Sequence, residues 1–127
     1  MNFLLDTHAL IWDLEGNPKL SILSKDAIEN LENDIFISIA SLWEISIKIK
    51  LQKLTLNIPL IDLKSHLDQK SIKILPIVFE DILINSTLSN HHNDPFDRII
   101  ISQAINNHYP IITADRNFYK YVVDIFW

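Results

Sequence analysis

The sequence predicts an α/β protein in which a short, mostly parallel sheet lies between layers of helices, a three-layer α/β/α sandwich. Three observations lead to that class. Apolar runs of strand length alternate with segments whose apolar residues recur at helical spacing, and strands separated by a helix pair in parallel. The connections are short, and with only one Gly and five Pro in 127 residues neither a flexible linker nor a repeat divides the chain. Finally, 48% of the residues are hydrophobic, enough for one core that buries roughly two-thirds of the surface the unfolded chain exposes. A single domain over residues 1–127 is expected.

Asn2–Leu5 forms the first buried strand and Thr7–Glu15 a largely apolar helix, ended by Gly16, Asn17 and Pro18. Ser24 is expected to cap a second helix running to about Leu31, with Ala27, Ile28 and Leu31 at core spacing, before a strand at Ile35–Ser38. The next segment has two readings. Glu44–Leu51 alternates with period two, as a half-buried strand does, whereas Ile39, Leu42, Ile45, Ser46 and Ile49 share a helical face. Pro59 opens a helix to about Lys70, Ser71–Ile77 is a strand bounded by Pro76, and Phe79–Leu88 is a further helix. After the polar loop Ser89–Asn93, Asp94 and Pro95 mark a strong helix start, an acid at the N-cap with proline at the first helical position. That helix runs to Asn107. Tyr109–Thr113 is then a strand, Arg116–Tyr121 a short helix and Val122–Phe126 an edge strand.

Composition removes several classes of function. Cysteine is absent, which excludes disulfides, thiolate catalysis and cysteine-bearing zinc sites and agrees with a reducing compartment. The N-terminus has no basic stretch before its short apolar run, and no apolar run approaches the ~20 residues of a membrane span; a soluble, cytoplasmic protein is expected. A formal charge of −5 argues at first sight against a nucleic-acid partner, since phosphate binding leaves a basic footprint. Cations bound to acids would offset that charge, and Lys48, Lys50, Lys53, Arg98, Arg116 and Lys120 lie close in sequence to the acids singled out below.

Four acids stand where strands hand over to helices: Asp6 after the first strand, Glu44 after the second, Asp97 just inside a helix start, and Asp115 after Ile111–Thr113. In an open α/β sheet ligands bind in the crevice beyond the carboxyl ends of the strands, so these acids converge there. At ~4 Å two like unit charges repel by about 4 kcal/mol at an effective dielectric near 20. Such a cluster persists only when protonated or neutralised by cations, and an oxygen-only ligand set selects hard ions, Mg²⁺ or Mn²⁺. Each acid also has a plain alternative. Asp6 is placed to cap a helix, Glu44 stands at capping-box spacing from Ser41, Asp97 sits where the helix dipole favours a carboxylate, and Asp115 is placed for an Asx turn. Capping does not explain why every member of the set is an acid rather than Ser or Asn. His8, His66, His91, His92 and His108 lack metal-ligand spacing and are expected at the surface or in loops; Trp12, Trp43 and Trp127 are expected as core or interface anchors. Ser38, Ser41 and Ser102 have no Gly-rich nucleophile elbow.

The stretches Leu4–Trp12, Ser38–Ile45, His91–Arg98 and Ile112–Phe118 together resemble the PIN-domain family, most closely the VapC-type toxins of bacterial toxin–antitoxin systems. The resemblance covers essentially the whole chain in the right order. It implies a PIN-like α/β/α sandwich, Mg²⁺- or Mn²⁺-dependent endoribonuclease activity, inhibition by a cognate antitoxin protein, and a homodimer. It also implies that residues 39–51 are helical. Carried over by position, the family's acidic ligands fall on Asp6, Glu44, Asp97 and Asp115, with no departure at any of them. Thr7 and Thr113 resemble the hydroxyl residues that flank the acids, and Asp94 is an additional acid beside the set.

On this reading the ions activate a water against an RNA phosphodiester, Asp6 at the end of the central strand is the shared ligand, and Arg98 or Arg116 contacts phosphate through its guanidinium fork. Two other classes compete. An aspartyl-phosphate phosphatase requires a second acid two residues after its nucleophile, where His8 stands, and a receiver-like protein requires paired acids near the chain start and a lysine after a late strand. A PIN fold kept only for binding would have no need of intact ligand positions.

Overall fold

In the computed structural model, which describes residues 1–127, β1 (Asn2–Leu5) is the centre of a five-stranded sheet ordered β3-β2-β1-β4-β5. Its neighbours are β2 (Asp34–Ser38) and β4 (Ile111–Ile112), and the edges are β3 (Ile72–Leu75) and β5 (Ile125–Phe126). Every pairing is parallel. The strands therefore all deliver their carboxyl ends to the same edge of the sheet, which is the geometric precondition for acids from distant positions to meet.

Parallel sheets are covered on both faces and need apolar side chains on both. Period two supplies them here. Phe3, Leu5, Ile35, Ile37, Ile72 and Ile112 enter one core with α1 (Thr7–Glu15), α2 (Ile22–Glu29), Ile45 of α3 (Ile39–Lys50), and α4 (Leu63–Gln69). Leu4 and Ile111 enter a second core on the opposite face with Ile100, Ile101 and Ala104 of α6 (Pro95–Asn107) and with Phe118 and Tyr121. Helix α5 (Phe79–Thr87) packs on α6. The result is the α/β/α sandwich expected from the sequence.

The ambiguous segment is helical throughout α3. Ser38 caps it through a 3.0 Å bond from the Ala40 N–H, and Lys48 and Lys50 fall in its last turn, where the dipole favours cations. A crossover from β2 to a parallel β3 is usually helical, and α3 is its first helix. With Ser38 as cap, Ser41 is N3 and Glu44 lies a turn further on, so no capping box joins them.

Other boundaries shift for local reasons. Helix α2 starts earlier than expected, because Ser21 and not Ser24 is its cap: Ser21 Oγ accepts the Ser24 N–H at 3.1 Å and α2 ends at Glu29, which leaves Leu31 exposed. The helix expected from Pro59 begins as a single 3₁₀ turn at Leu60–Asp62 before α4. β4 is shorter than Tyr109–Thr113, since Tyr109 stacks on Phe36 with ring centroids 5.0 Å apart, and β5 excludes the exposed Val122. Arg116–Lys120 is a 3₁₀ turn. Gly16, the chain's only glycine, ends α1 in the left-handed region at φ 63°, a conformation that other residues adopt at a cost.

Ser21→Ala is expected to lower stability by about 1 kcal/mol in urea unfolding through loss of the α2 cap. An unchanged midpoint would return the cap to Ser24.

Candidate active site

Asp6 is the residue that follows the central strand, and it is also the N-cap of α1. Its Oδ1 accepts the Ala9 N–H at 2.6 Å and its Oδ2 accepts the hydroxyl of Thr113, the residue that follows β4. Thr113 Oγ1 in turn accepts the Asp115 N–H at 3.0 Å, and Asp115 caps its own turn on the Asn117 N–H at 2.9 Å. The two strand ends are thus tied carboxylate to hydroxyl to backbone. Asp6 is buried, and burial raises its pKa; the Asp115 charge adds to the rise, while the Thr113 bond, the Ala9 N–H and His8 oppose it.

Glu44 comes to the same edge from α3 and is also buried. Its Oε1 accepts the Thr7 hydroxyl at 2.7 Å. Thr7 lies 2.9 Å from the Ser41 hydroxyl as well, and with only one hydrogen to give, Thr7 donates to Glu44 and accepts from Ser41. Glu44 Oε2 holds the Lys48 ammonium at 2.8 Å, one helical turn away.

Asp97 is N3 of α6. Asp94, the N-cap, accepts the Asp97 N–H at 3.0 Å, and Pro95 stands at N1, so the two acids of this segment have the distinct positions expected of them. The Asp97 carboxyl is pushed up to about 8 by burial first, then by the charges of Asp94, Glu44, Asp115 and Asp6. That repulsion places all five acids in one electrostatic neighbourhood.

In this conformation no three of these groups close on a single point as metal ligands. The donor chemistry nevertheless fits a hard cation. The donors are carboxylate oxygens, the Asp97 carboxyl is raised to about 8 by burial and then by its acidic neighbours, and Glu44 Oε2 holds the Lys48 ammonium. A cavity of about 260 Å³ opens beside Asp6 and Asp115, walled by His8, Trp12 and Ala114.

One expectation is corrected. Arg98 does not present its fork to the crevice: its Nη1 donates to Ser89 O at 2.8 Å and Tyr121 Oη at 3.1 Å, and its Nη2 to Leu88 O at 3.0 Å, so it clamps the loop before α6. Arg116 is exposed and makes no ion pair. His91 and His92 lie in the loop before α6, as expected, and the His92 side chain is only 12% exposed. Both rings pack edge-on against Tyr121, with centroids 4.9 and 5.4 Å away, and His92 Nε2 lies 3.2 Å from Asp97 Oδ2. Metal-ligand spacing was the wrong test for it. The useful signal was the cap, because a residue two before the N-cap lies beside the helix mouth. Trp43 is largely exposed, with its ring edge-on to Phe96 at 5.4 Å, and His8, where a phosphatase would have its second acid, is exposed and not acidic.

The family profile of the PIN domain matches residues 3–123, and the chain belongs to the PIN-domain family. Ribonuclease VapC22 of Mycobacterium tuberculosis is 26% identical over 115 residues, 89% of this chain and 86% of that protein. Among solved structures, VapBC2 from Rickettsia felis, bound to a DNA fragment from its promoter, is similar with a TM-score of 0.72 at 17% identity, over 98% of this chain and 96% of that one. VapBC-1 from nontypeable Haemophilus influenzae gives 0.72 at 18% identity over 100% and 96%, and FitAcB from Neisseria gonorrhoeae 0.68 at 19% over 98% and 96%. At these identities the structural likeness is one of fold. No helix is long and apolar enough to cross a membrane.

The Asp97 shift has a thermodynamic consequence. A carboxyl at about 8 in the folded state and ~3.9 unfolded binds a proton in the native form alone between those values. Stability of the metal-free protein therefore falls as pH rises from about 4 to about 8, by at most about 1.4 kcal/mol per unit from this group. Asp97→Asn is expected to flatten that slope in urea titrations. An identical slope in the variant would assign it elsewhere.

Proposed function

We propose that the protein is a divalent-metal-dependent endoribonuclease, the toxin of a toxin–antitoxin pair, acting in the cytoplasm as a single-domain protomer of a homodimer. The observation that supports it most is the convergence of Asp6, Glu44, Asp97 and Asp115 at the carboxyl edge of a PIN-domain sheet, with Asp97 pushed up to about 8 by burial and then by its neighbours' charges. The similarity to a protein named Ribonuclease VapC22 supports the substrate class. Neighbours in structure are named as VapBC proteins and a toxin–antitoxin complex from Klebsiella pneumoniae, which supports an antitoxin partner.

Asp6, Glu44, Asp97 and Asp115 would hold Mg²⁺ or Mn²⁺. When bound, such an ion lowers the pKa of a coordinated water and offsets charge that develops on a phosphodiester under attack. The chain's own contribution is preorganisation. Ala9 N–H and Thr113 fix Asp6 while leaving lone pairs on both of its oxygens. Thr7 fixes one oxygen of Glu44. Lys48, displaced from Glu44, becomes a cation at the rim able to meet an RNA phosphate, and the exposed Arg116 lies next to Asp115 for the same purpose. Asp94 serves α6 as its cap. A dimer is supported by an apolar groove of about 420 Å³ that Trp43, Ile77, Ile82 and Phe96 help to line, and by the exposed Phe79 and Leu83 of the neighbouring α5.

Purified protein is expected to cleave RNA with Mn²⁺ or Mg²⁺ and to lose that activity with a chelator. Asp97→Asn should reduce cleavage on the order of 100-fold while leaving folding intact. Asp94→Asn, still a good cap, should cost a few tenths to about 1 kcal/mol of stability and largely retain activity. An inactive Asp94→Asn beside an active Asp97→Asn would move the site by one helical turn.

Expression of the chain alone is expected to slow bacterial growth, and co-expression of its cognate antitoxin to restore it. Normal growth with abundant folded protein would remove the toxin role without touching the fold.

A further inference from the structure

The loop before α6 and the turn after β4 meet in a hydrogen-bonded chain that ends on Asp97. Arg98 Nη1 lies 3.1 Å from Tyr121 Oη, Tyr121 Oη lies 2.7 Å from His92 Nδ1, and His92 Nε2 lies 3.2 Å from Asp97 Oδ2. Tyr121 is 6% exposed, and the His92 and Asp97 side chains are 12% and 17% exposed. We infer that His92 is a positioning residue for Asp97, set in its Nε2–H tautomer by Tyr121 and Arg98. This rests on the reading of Asp97 as a site carboxylate.

The direction of the chain follows from its first member. A guanidinium only donates, so Tyr121 oxygen accepts from Arg98 and must find an acceptor for its own hydrogen. The acceptor at hand is His92 Nδ1. A neutral imidazole that accepts at Nδ1 has its proton on Nε2, and Nε2 faces Asp97. In the opposite direction the tyrosine oxygen would receive two hydrogens and its own would have no partner among the groups around it. Arg98 is itself immobilised by the carbonyls of Leu88 and Ser89, and the edge-on packing of His92 on Tyr121 fixes the ring plane.

The consequence falls on Asp97. Its Oδ1 makes no hydrogen bond, and its backbone N–H is taken by Asp94. Without His92 the carboxylate would turn freely about its side-chain torsions at the mouth of α6. With Nε2–H holding Oδ2, one rotamer is retained, and the other oxygen is left for a cation. Groups in this outer position orient a ligating carboxylate, and their loss typically weakens metal affinity by about 10–100-fold.

The test uses the full-length protein, with Mn²⁺ alone as the probe. Nitrogen-detected NMR of ¹⁵N-histidine-labelled, metal-free protein should show His92 as a single Nε2–H tautomer, assigned by the signal lost in His92→Gln. Tyr121→Phe keeps the ring contacts but removes the hydroxyl, and should give a tautomer mixture at His92. In calorimetry His92→Ala should bind Mn²⁺ about 10–100-fold more weakly, whereas His92→Gln, whose amide nitrogen can replace Nε2 as donor, should recover most of the affinity. An Nδ1–H or doubly protonated His92 in the wild type, or undiminished Mn²⁺ affinity in a folded His92→Ala, would overturn the assignment. Wild-type protein that binds no Mn²⁺ would instead sink the metal-dependent reading, and the tautomer alone would then judge the hydrogen-bonded chain.

Discussion

The structure depends on burying the carboxylate of Asp6 at the carboxyl end of the central strand. Desolvation alone would drive that carboxyl towards its neutral form, and two bonds oppose it: the Ala9 N–H from the helix that Asp6 caps, and the Thr113 hydroxyl from the end of the adjacent strand. The first is local to α1, but the second forms only when β1 and β4 lie side by side in register, Leu4 opposite Ile111 and Leu5 opposite Ile112. Folding and site assembly are therefore the same event around this residue. The fold brings four further acids to the same edge without giving them a permanent counter-charge, apart from Lys48 on Glu44.

Capping is one of the two explanations the sequence offers for the acids, and the structure shows it. Asp6, Asp94 and Asp115 all accept backbone N–H groups at the starts of helical segments. A cap uses part of the lone-pair capacity of a carboxylate and holds it in one orientation; the remainder stays available at the sheet edge. This is why a chain with only one glycine can build a polar crevice. Its strand ends are shaped by side-chain caps and not by glycine turns.

The two flanks of the crevice are organised differently. On the α3 side, Ser41, Thr7 and Glu44 form a short hydroxyl chain that ends on the partly exposed ammonium of Lys48. On the α6 side, Arg98, Tyr121 and His92 form a chain anchored in backbone carbonyls and packed rings.

Much of this was legible in the amino-acid order. Strand–helix alternation, the Asp94-Pro95 helix start and the motifs around Asp6, Glu44, Asp97 and Asp115 depend on neighbours within a few residues, where spacing and backbone preference act directly. The ambiguity at Ile39–Lys50 shows the limit of that range. Both periods fit the residues, and the parallel pairing of β2 with β3, which needs a long crossover, favours the helix. The same limit hid Arg98 and His92. An arginine beside an acid invites a phosphate, and a histidine without ligand spacing invites solvent, until a turn more than twenty residues later brings Tyr121 between them. Local sequence sets where an element begins and which face is apolar. Which donor meets which acceptor across the sheet edge depends on contacts between residues far apart in the chain, and those exist only after the strands have paired.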